Sequence, residues 1–140
     1  CPHEQQDPAA LQQVEQFWQA VGAETRQISA AEHDQIFAAV SHMPHVLAFS
    51  FVHQIEDHPD GAKYLDFAAS GFRDFTRIAS SHPAIWTDIC MANRQSLLDL
   101  IEGQYQQLAR VQAMLEAGDS DGLYRYFEEA KQTRDDWLDK

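Results

Sequence analysis

The chain has 140 residues, 44% of them apolar with 8 Phe, 4 Tyr and 3 Trp, which suffices for one domain with a core. Its 22 acidic residues against 10 basic ones give a formal charge of -12, which argues against nucleic acid or an anionic membrane as the main partner, since both demand a cationic footprint. A small anionic ligand held by a few arginines in a local pocket stays compatible with that charge.

Asp7-Pro8 reads as a helix N-cap followed by proline at the first helical position. Leu11, Val14, Trp18 and Val21 follow at helical spacing, and Gly22 stops the run. Residues 23–28 read as a short extended piece. Ser29-Ala30-Ala31-Glu32 is a capping box that opens a long segment to about Asp57, interrupted at Pro44. His58-Pro59-Asp60-Gly61 is a loop. A further helix is expected from Lys63 to about Ala79, with a weak point at Gly71. Ser81-His82-Pro83 restarts the chain, and the longest helical pattern runs from Ala84 to about Glu116. Gly118-Asp119-Ser120 ends it, and a last amphipathic helix carries Leu123, Phe127, Ala130 and Trp137. No β-α-β alternation and no G-x-G-x-x-G occurs, so the expected fold class is all-α. A helix over 84–116 exceeds what one small domain needs. Its apolar stripe is expected to meet a second copy of the chain, a homodimer; a curved helix wrapped by its own chain is the alternative.

No apolar run is expected to span a bilayer, and no signal peptide is visible. Cys1 and Cys90 make neither a disulfide framework nor a zinc motif, so a reducing, cytoplasmic compartment is expected. The chain starts at Cys1 rather than Met and reads as a piece of something longer.

Three stretches invite chemistry. Ser41-His42-Met43-Pro44-His45 sets two histidines some 60° apart on one helical face, around a proline that costs a helix interior roughly 3 kcal/mol. His33 falls about 120° from His45 on a straight helix, so helical arithmetic alone does not cluster the three. Metal binding would need further ligands, and no E-x-x-H pattern supplies them; no metal is expected. Two readings stay open for His42 and His45: hydrogen-bonded packing in the core or at a subunit contact, or a neutral imidazole serving a ligand. In Gly71-Phe72-Arg73-Asp74-Phe75-Thr76-Arg77, the arginines are i,i+4 neighbours and Asp74 lies three before Arg77. Such a pair is either a solvated charged face or a carboxylate anchor whose fork Asp74 would fix. Ser81-His82-Pro83-Ala84-Ile85-Trp86 places an aromatic ring in a helix's first turn, as packing or beside an anion-favouring N-terminus, and Asn93 follows two turns later as a candidate to satisfy a buried polar group.

Taken in order, His33-Asp34, Ser41-His42-Met43-Pro44-His45, Gly71 to Ala79, Trp86-Thr87-Asp88-Ile89 and Asn93 resemble the C-terminal helical domain of the prephenate/arogenate dehydrogenase family. The resemblance covers nearly the whole chain, including Cys1-Pro2 and Gly22-Ala23, which look like the exit from that family's nucleotide-binding domain. It implies a division into residues 1–28, that exit and a connecting helix, and residues 29–140, a substrate-binding and dimerisation domain. It also implies an enzyme of tyrosine biosynthesis, oxidatively decarboxylating prephenate with NAD to 4-hydroxyphenylpyruvate, with arogenate and NADP as open alternatives. The family's catalytic histidine and its dinucleotide fingerprint lie in an N-terminal Rossmann domain, so no catalytic and no cofactor-binding residue is expected here. By resemblance, Arg77 matches the arginine that binds the ring carboxylate, supported by Asp74. His45 matches a histidine that contacts the substrate, His33 one near the site, and Trp86 a tryptophan brought to it, with the partner subunit as an alternative source. His42, Arg73 and Asn93 are expected behind them. The competing reading is a non-catalytic helical dimerisation or ligand-sensing module; a metal-binding bundle is a third.

Overall fold

The computed structural model describes residues 7–139, and within them every regular element is helical. The all-α expectation holds. The reading of Cys1-Pro2 as a domain exit falls outside the described residues. The chain divides into two units, residues 1–97 and 98–140.

The first unit opens with α1 (Pro8–Ala20), where the Asp7 carboxylate accepts the Ala9 N–H at 3.0 Å. The helix stops because Gly22 adopts φ +87, which lets Ala23 N–H reach back to the Trp18 carbonyl at 3.0 Å and Gly22 N–H to Gln19 at 3.0 Å. Residues 23–29 are irregular. Ser29 then caps α2 (Ala30–Phe37), its hydroxyl accepting the Glu32 N–H at 3.1 Å. A π-helical turn (Ala38–His42) joins α2 to α3 (Met43–Glu56). Its signature bond runs from Met43 N–H to the Ala38 carbonyl, five residues back. The expected interruption at Pro44 therefore takes a definite form. Pro44 has no N–H to give, and the chain widens by one residue in the turn just before it.

Three expectations need correction. The helix expected over 63–79 breaks at Phe67–Ala69, not at Gly71: it is α4 (Gly61–Asp66), α5 (Ser70–Thr76) and a 3-10 turn (Arg77–Ser80). Gly71 lies in the first turn of α5, with open space where a Cβ would stand. The long helix expected over 84–116 is also two, α6 (Pro83–Ala92) and α7 (Arg94–Ala117). Asn93 interrupts it at φ -111, ψ 33, because its side chain is committed to a bond elsewhere. Finally, the continuous helical run Ala30–Glu56 is 27 residues long and, by length and composition alone, apolar enough to cross a membrane. Periodicity had divided it at Pro44, whereas the π turn keeps it unbroken. Its apolar side has protein neighbours: α3 packs against α4, α5 and the 3-10 turn, and Phe51 meets Phe72 and Phe75 at ring-centroid distances of 5.8 and 5.7 Å.

Ala38, Met43, Ala48 and Leu97 are the buried apolar residues of the described chain, all in this first unit. Three of the four sit on the π turn and α3, against which α2, α4, α5 and the 3-10 turn pack.

The second unit holds most of α7 and all of α8 (Ser120–Leu138). Gly118 at φ +64 ends α7 with the same device as Gly22, Asp119 N–H reaching the Met114 carbonyl at 2.9 Å. The Asp119 carboxylate then caps α8 through the Gly122 N–H at 2.9 Å. Tyr126 donates its hydroxyl to Gln107 at 3.1 Å, and the Arg110 guanidinium lies 5.3 Å from the Tyr126 ring centre. No described residue of this unit is buried, and Leu108, Leu115, Phe127 and Trp137 are all exposed.

Candidate functional site

The π turn carries the chemistry of the first unit. His42 ends it and His45 follows in the first turn of α3, so both face the start of α6, where Trp86 stands. The His45 ring stacks on Trp86, centroids 3.4 Å apart and planes 18° from parallel. His42 meets the same indole edge-on at 6.2 Å and 76°. Two histidines three apart thus share one aromatic neighbour.

Hydrogen bonds fix each imidazole. His45 Nδ1 lies 2.9 Å from the Ser41 carbonyl oxygen. A carbonyl only accepts, so Nδ1 carries the proton, and in the neutral ring Nε2 keeps its lone pair. Buried Asn93 reaches across the unit: its Nδ2 donates to the Asp34 backbone carbonyl at 2.6 Å and lies 3.3 Å from His42 Nδ1. Asn93 is itself the buried polar group, and its amide is paired by these two contacts. His33 Nδ1 meets the Asp34 carboxylate at 3.1 Å, and its ring stacks on Phe37 at 4.4 Å. Burial pushes the His42 pKa down, and positive charge on His33 and His45 pushes the same way, against a smaller opposing pull from Asp34. His42 is therefore biased toward its neutral form.

The structure brings His33, His42, His45, Trp86 and Asn93 into one connected group. His33 joins the group through Asp34, whose carboxylate it meets and whose carbonyl accepts from Asn93.

Arg73, Asp74 and Arg77 lie on α5 and the 3-10 turn, which pack on α3. All three side chains are exposed. Among the described residues Asp74 makes no ion pair with Arg77. Asp74 belongs to α5 and Arg77 opens the 3-10 turn, so the two stand on different elements. Neither arginine forms an ion pair within the described chain, so both guanidinium groups keep their donors for an anion.

Sequence spacing missed the bond from His45 to Ser41.

The geometry can be set beside known proteins. The family model "Prephenate dehydrogenase, dimerization domain" matches residues 29–129. The prephenate dehydrogenase of Bacillus subtilis is 38% identical over 136 residues, 96% of this chain and 36% of that protein. The crystal structure of A. aeolicus prephenate dehydrogenase, in complex with hydroxyphenyl propionate and NAD+, superposes with a TM-score of 0.86 at 31% identity, covering 96% of this chain and 48% of that one. Synechocystis arogenate dehydrogenase shares the fold, with a TM-score of 0.83 at 24% identity over 96% of this chain and 50% of that one. The chain therefore spans half or less of the length of each of these relatives. On the family match and the 38% identity, the chain belongs to the prephenate dehydrogenase dimerisation-domain family.

Proposed function

We propose that this chain is the substrate-binding and dimerisation part of an NAD-dependent prephenate dehydrogenase, working as a homodimer in the cytoplasm. The observation that carries the reading is the 38% identity to a prephenate dehydrogenase across 96% of the chain. In this reading residues 1–28 connect to a nucleotide-binding domain and residues 29–140 form the substrate and dimer domain. Exposed apolar side chains on α7 and α8, in a unit that buries none of its own described residues, support a second copy as partner.

The reaction needs little from this chain beyond position. Hydride leaves the ring carbon that bears the hydroxyl, carbon dioxide leaves the opposite carbon, and aromaticity drives the step. NAD, when bound, accepts the hydride. NAD or NADP is proposed to be held by the nucleotide-binding domain to which residues 1–28 connect, and the role proposed for this chain is toward the substrate. Arg77 is the proposed anchor of a substrate carboxylate, with Arg73 beside it. Asp74 would steady the Arg77 fork only after a side-chain movement that brings the two together. His45 is proposed to hydrogen-bond the substrate through Nε2, its ring orientation held by Ser41 and by the Trp86 stack. Trp86 also keeps water from one side of the imidazole. His33 is proposed to stand near the substrate, its ring held by Asp34 and Phe37.

The test is NADH formation by the complete protein, with prephenate and arogenate offered separately. Turnover of prephenate in preference to arogenate is expected. Turnover of arogenate alone would move the proposal to the arogenate enzyme, and turnover of neither would leave a ligand-binding module.

A further inference from the structure

Buried Asn93 has more consequence than ending a helix. Its acceptors are not interchangeable. The Asp34 carbonyl, 2.6 Å away, can only accept, so the Asn93 amide must present nitrogen rather than oxygen to it. The same nitrogen lies 3.3 Å from His42 Nδ1 and has a second hydrogen to give. His42 Nδ1 must therefore accept, which places the ring proton on Nε2. His45 is fixed the opposite way, with its proton on Nδ1 by the Ser41 carbonyl at 2.9 Å. Each assignment follows from a backbone carbonyl, so neither depends on the other.

We propose that Asn93 is a positioning residue that holds His42 as its Nε2–H tautomer, so that His42 and His45 meet a ligand beside Trp86 with opposite hydrogen-bonding characters, one donating and one accepting. Among the described residues neither Nε2 has a hydrogen-bond partner within the chain. His42 then offers its donor to an acceptor oxygen of the ligand, a keto or carboxylate oxygen, and His45 offers an acceptor to a hydroxyl or a bridging water. The charged and titratable groups acting on His42 are His33 and Asp34 from α2 and His45 from α3, and Asp34 alone favours the doubly protonated ring. The inference rests on the proposed reading of this group as the substrate site, but the tautomer itself does not.

The experiment uses the complete protein labelled with 15N-histidine, with long-range proton–nitrogen correlation spectra to read each ring and a His42→Gln sample to assign His42. In the unsubstituted protein, His42 is expected to show an unprotonated Nδ1 and a protonated Nε2. A protonated Nδ1 there overturns the proposal without any Asn93 variant. Asn93→Asp removes both donors at nearly constant shape. It is expected to move the His42 proton to Nδ1 and to raise KM for prephenate about tenfold while kcat falls less, the loss of roughly one hydrogen bond. An unchanged His42 tautomer in folded Asn93→Asp protein, or a changed tautomer with unchanged KM, overturns it. Because the spectra read the ring directly, the tautomer is decided even if prephenate is not the substrate.

Discussion

The stack of His45 on Trp86 is close enough to carry a measurable coupling. At 3.4 Å between centroids and 18° between planes, it joins the π turn's neighbour α3 to α6. Aromatic pairs of this kind contribute about 0.5–1.5 kcal/mol beyond their buried area. Trp86→Ala alone removes this stack, the edge contact to His42 at 6.2 Å and half-buried apolar surface, a loss of about 2–3 kcal/mol. His45→Ala alone removes the stack and the bond to Ser41, a loss of about 2 kcal/mol. The double variant should lose about 1 kcal/mol less than the two losses added together, because the stack is counted in both single variants. The assay is urea unfolding of the 140-residue chain at one fixed protomer concentration, since the stability of the proposed dimer depends on it. Losses that add to within about 0.3 kcal/mol would refute the reasoning and reduce the stack to two rings that merely lie together.

Three further predictions concern neighbouring residues. The folded-state pKa of His42 lies below its ordinary 6.5, so the unfolded chain binds more protons in that range, and stability present above pH 6.5 is lost as pH falls through the interval between the two values. In His42→Gln that part of the slope should vanish; urea midpoints measured from pH 7 downward that run parallel in both proteins would contradict it. Gly61→Ala should destabilise by about 1–3 kcal/mol, because a Cβ there collides with the Ile55 carbonyl oxygen, and an unchanged melting temperature would show that the turn yields freely. Gly71→Ala, with open space around it in α5, should be neutral or stabilise by about 0.5–1 kcal/mol, and a clear drop in thermal stability would mean that the surroundings of α5 are crowded.

Much of the fold was legible because it is written locally. Asp7, Ser29 and Asp119 cap the helices that follow them through short-range bonds, and Gly22 and Gly118 end helices with positive φ. The breaks at Asn93 and at Phe67–Ala69 were not legible. Asn93 interrupts its helix in company with an acceptor 59 residues away, and no periodicity of the 84–116 segment contains Asp34. The arginine spacing misled in the opposite direction. Arg73 and Arg77 share a face only on a continuous α-helix, and the chain tightens to a 3-10 turn at Arg77. Pro44 announced an interruption but not its form, since a π turn and a simple bend both accommodate the absent N–H donor. The histidine group itself is half local: the spacing of His42 and His45 predicted a shared face, while Trp86 arrives only through tertiary packing.

In the proposed function this chain holds the substrate, and steady-state prephenate kinetics of the complete protein, with Arg77→Ala beside the unsubstituted enzyme, decide whether it does. Arg77 makes no ion pair within the described chain, so its loss removes a ligand contact and little internal structure. A charge-assisted hydrogen bond to carboxylate contributes about 1.5–3 kcal/mol, so KM for prephenate should rise about tenfold to a hundredfold with a smaller change in kcat. Unchanged prephenate kinetics in the Arg77→Ala enzyme would contradict the claim.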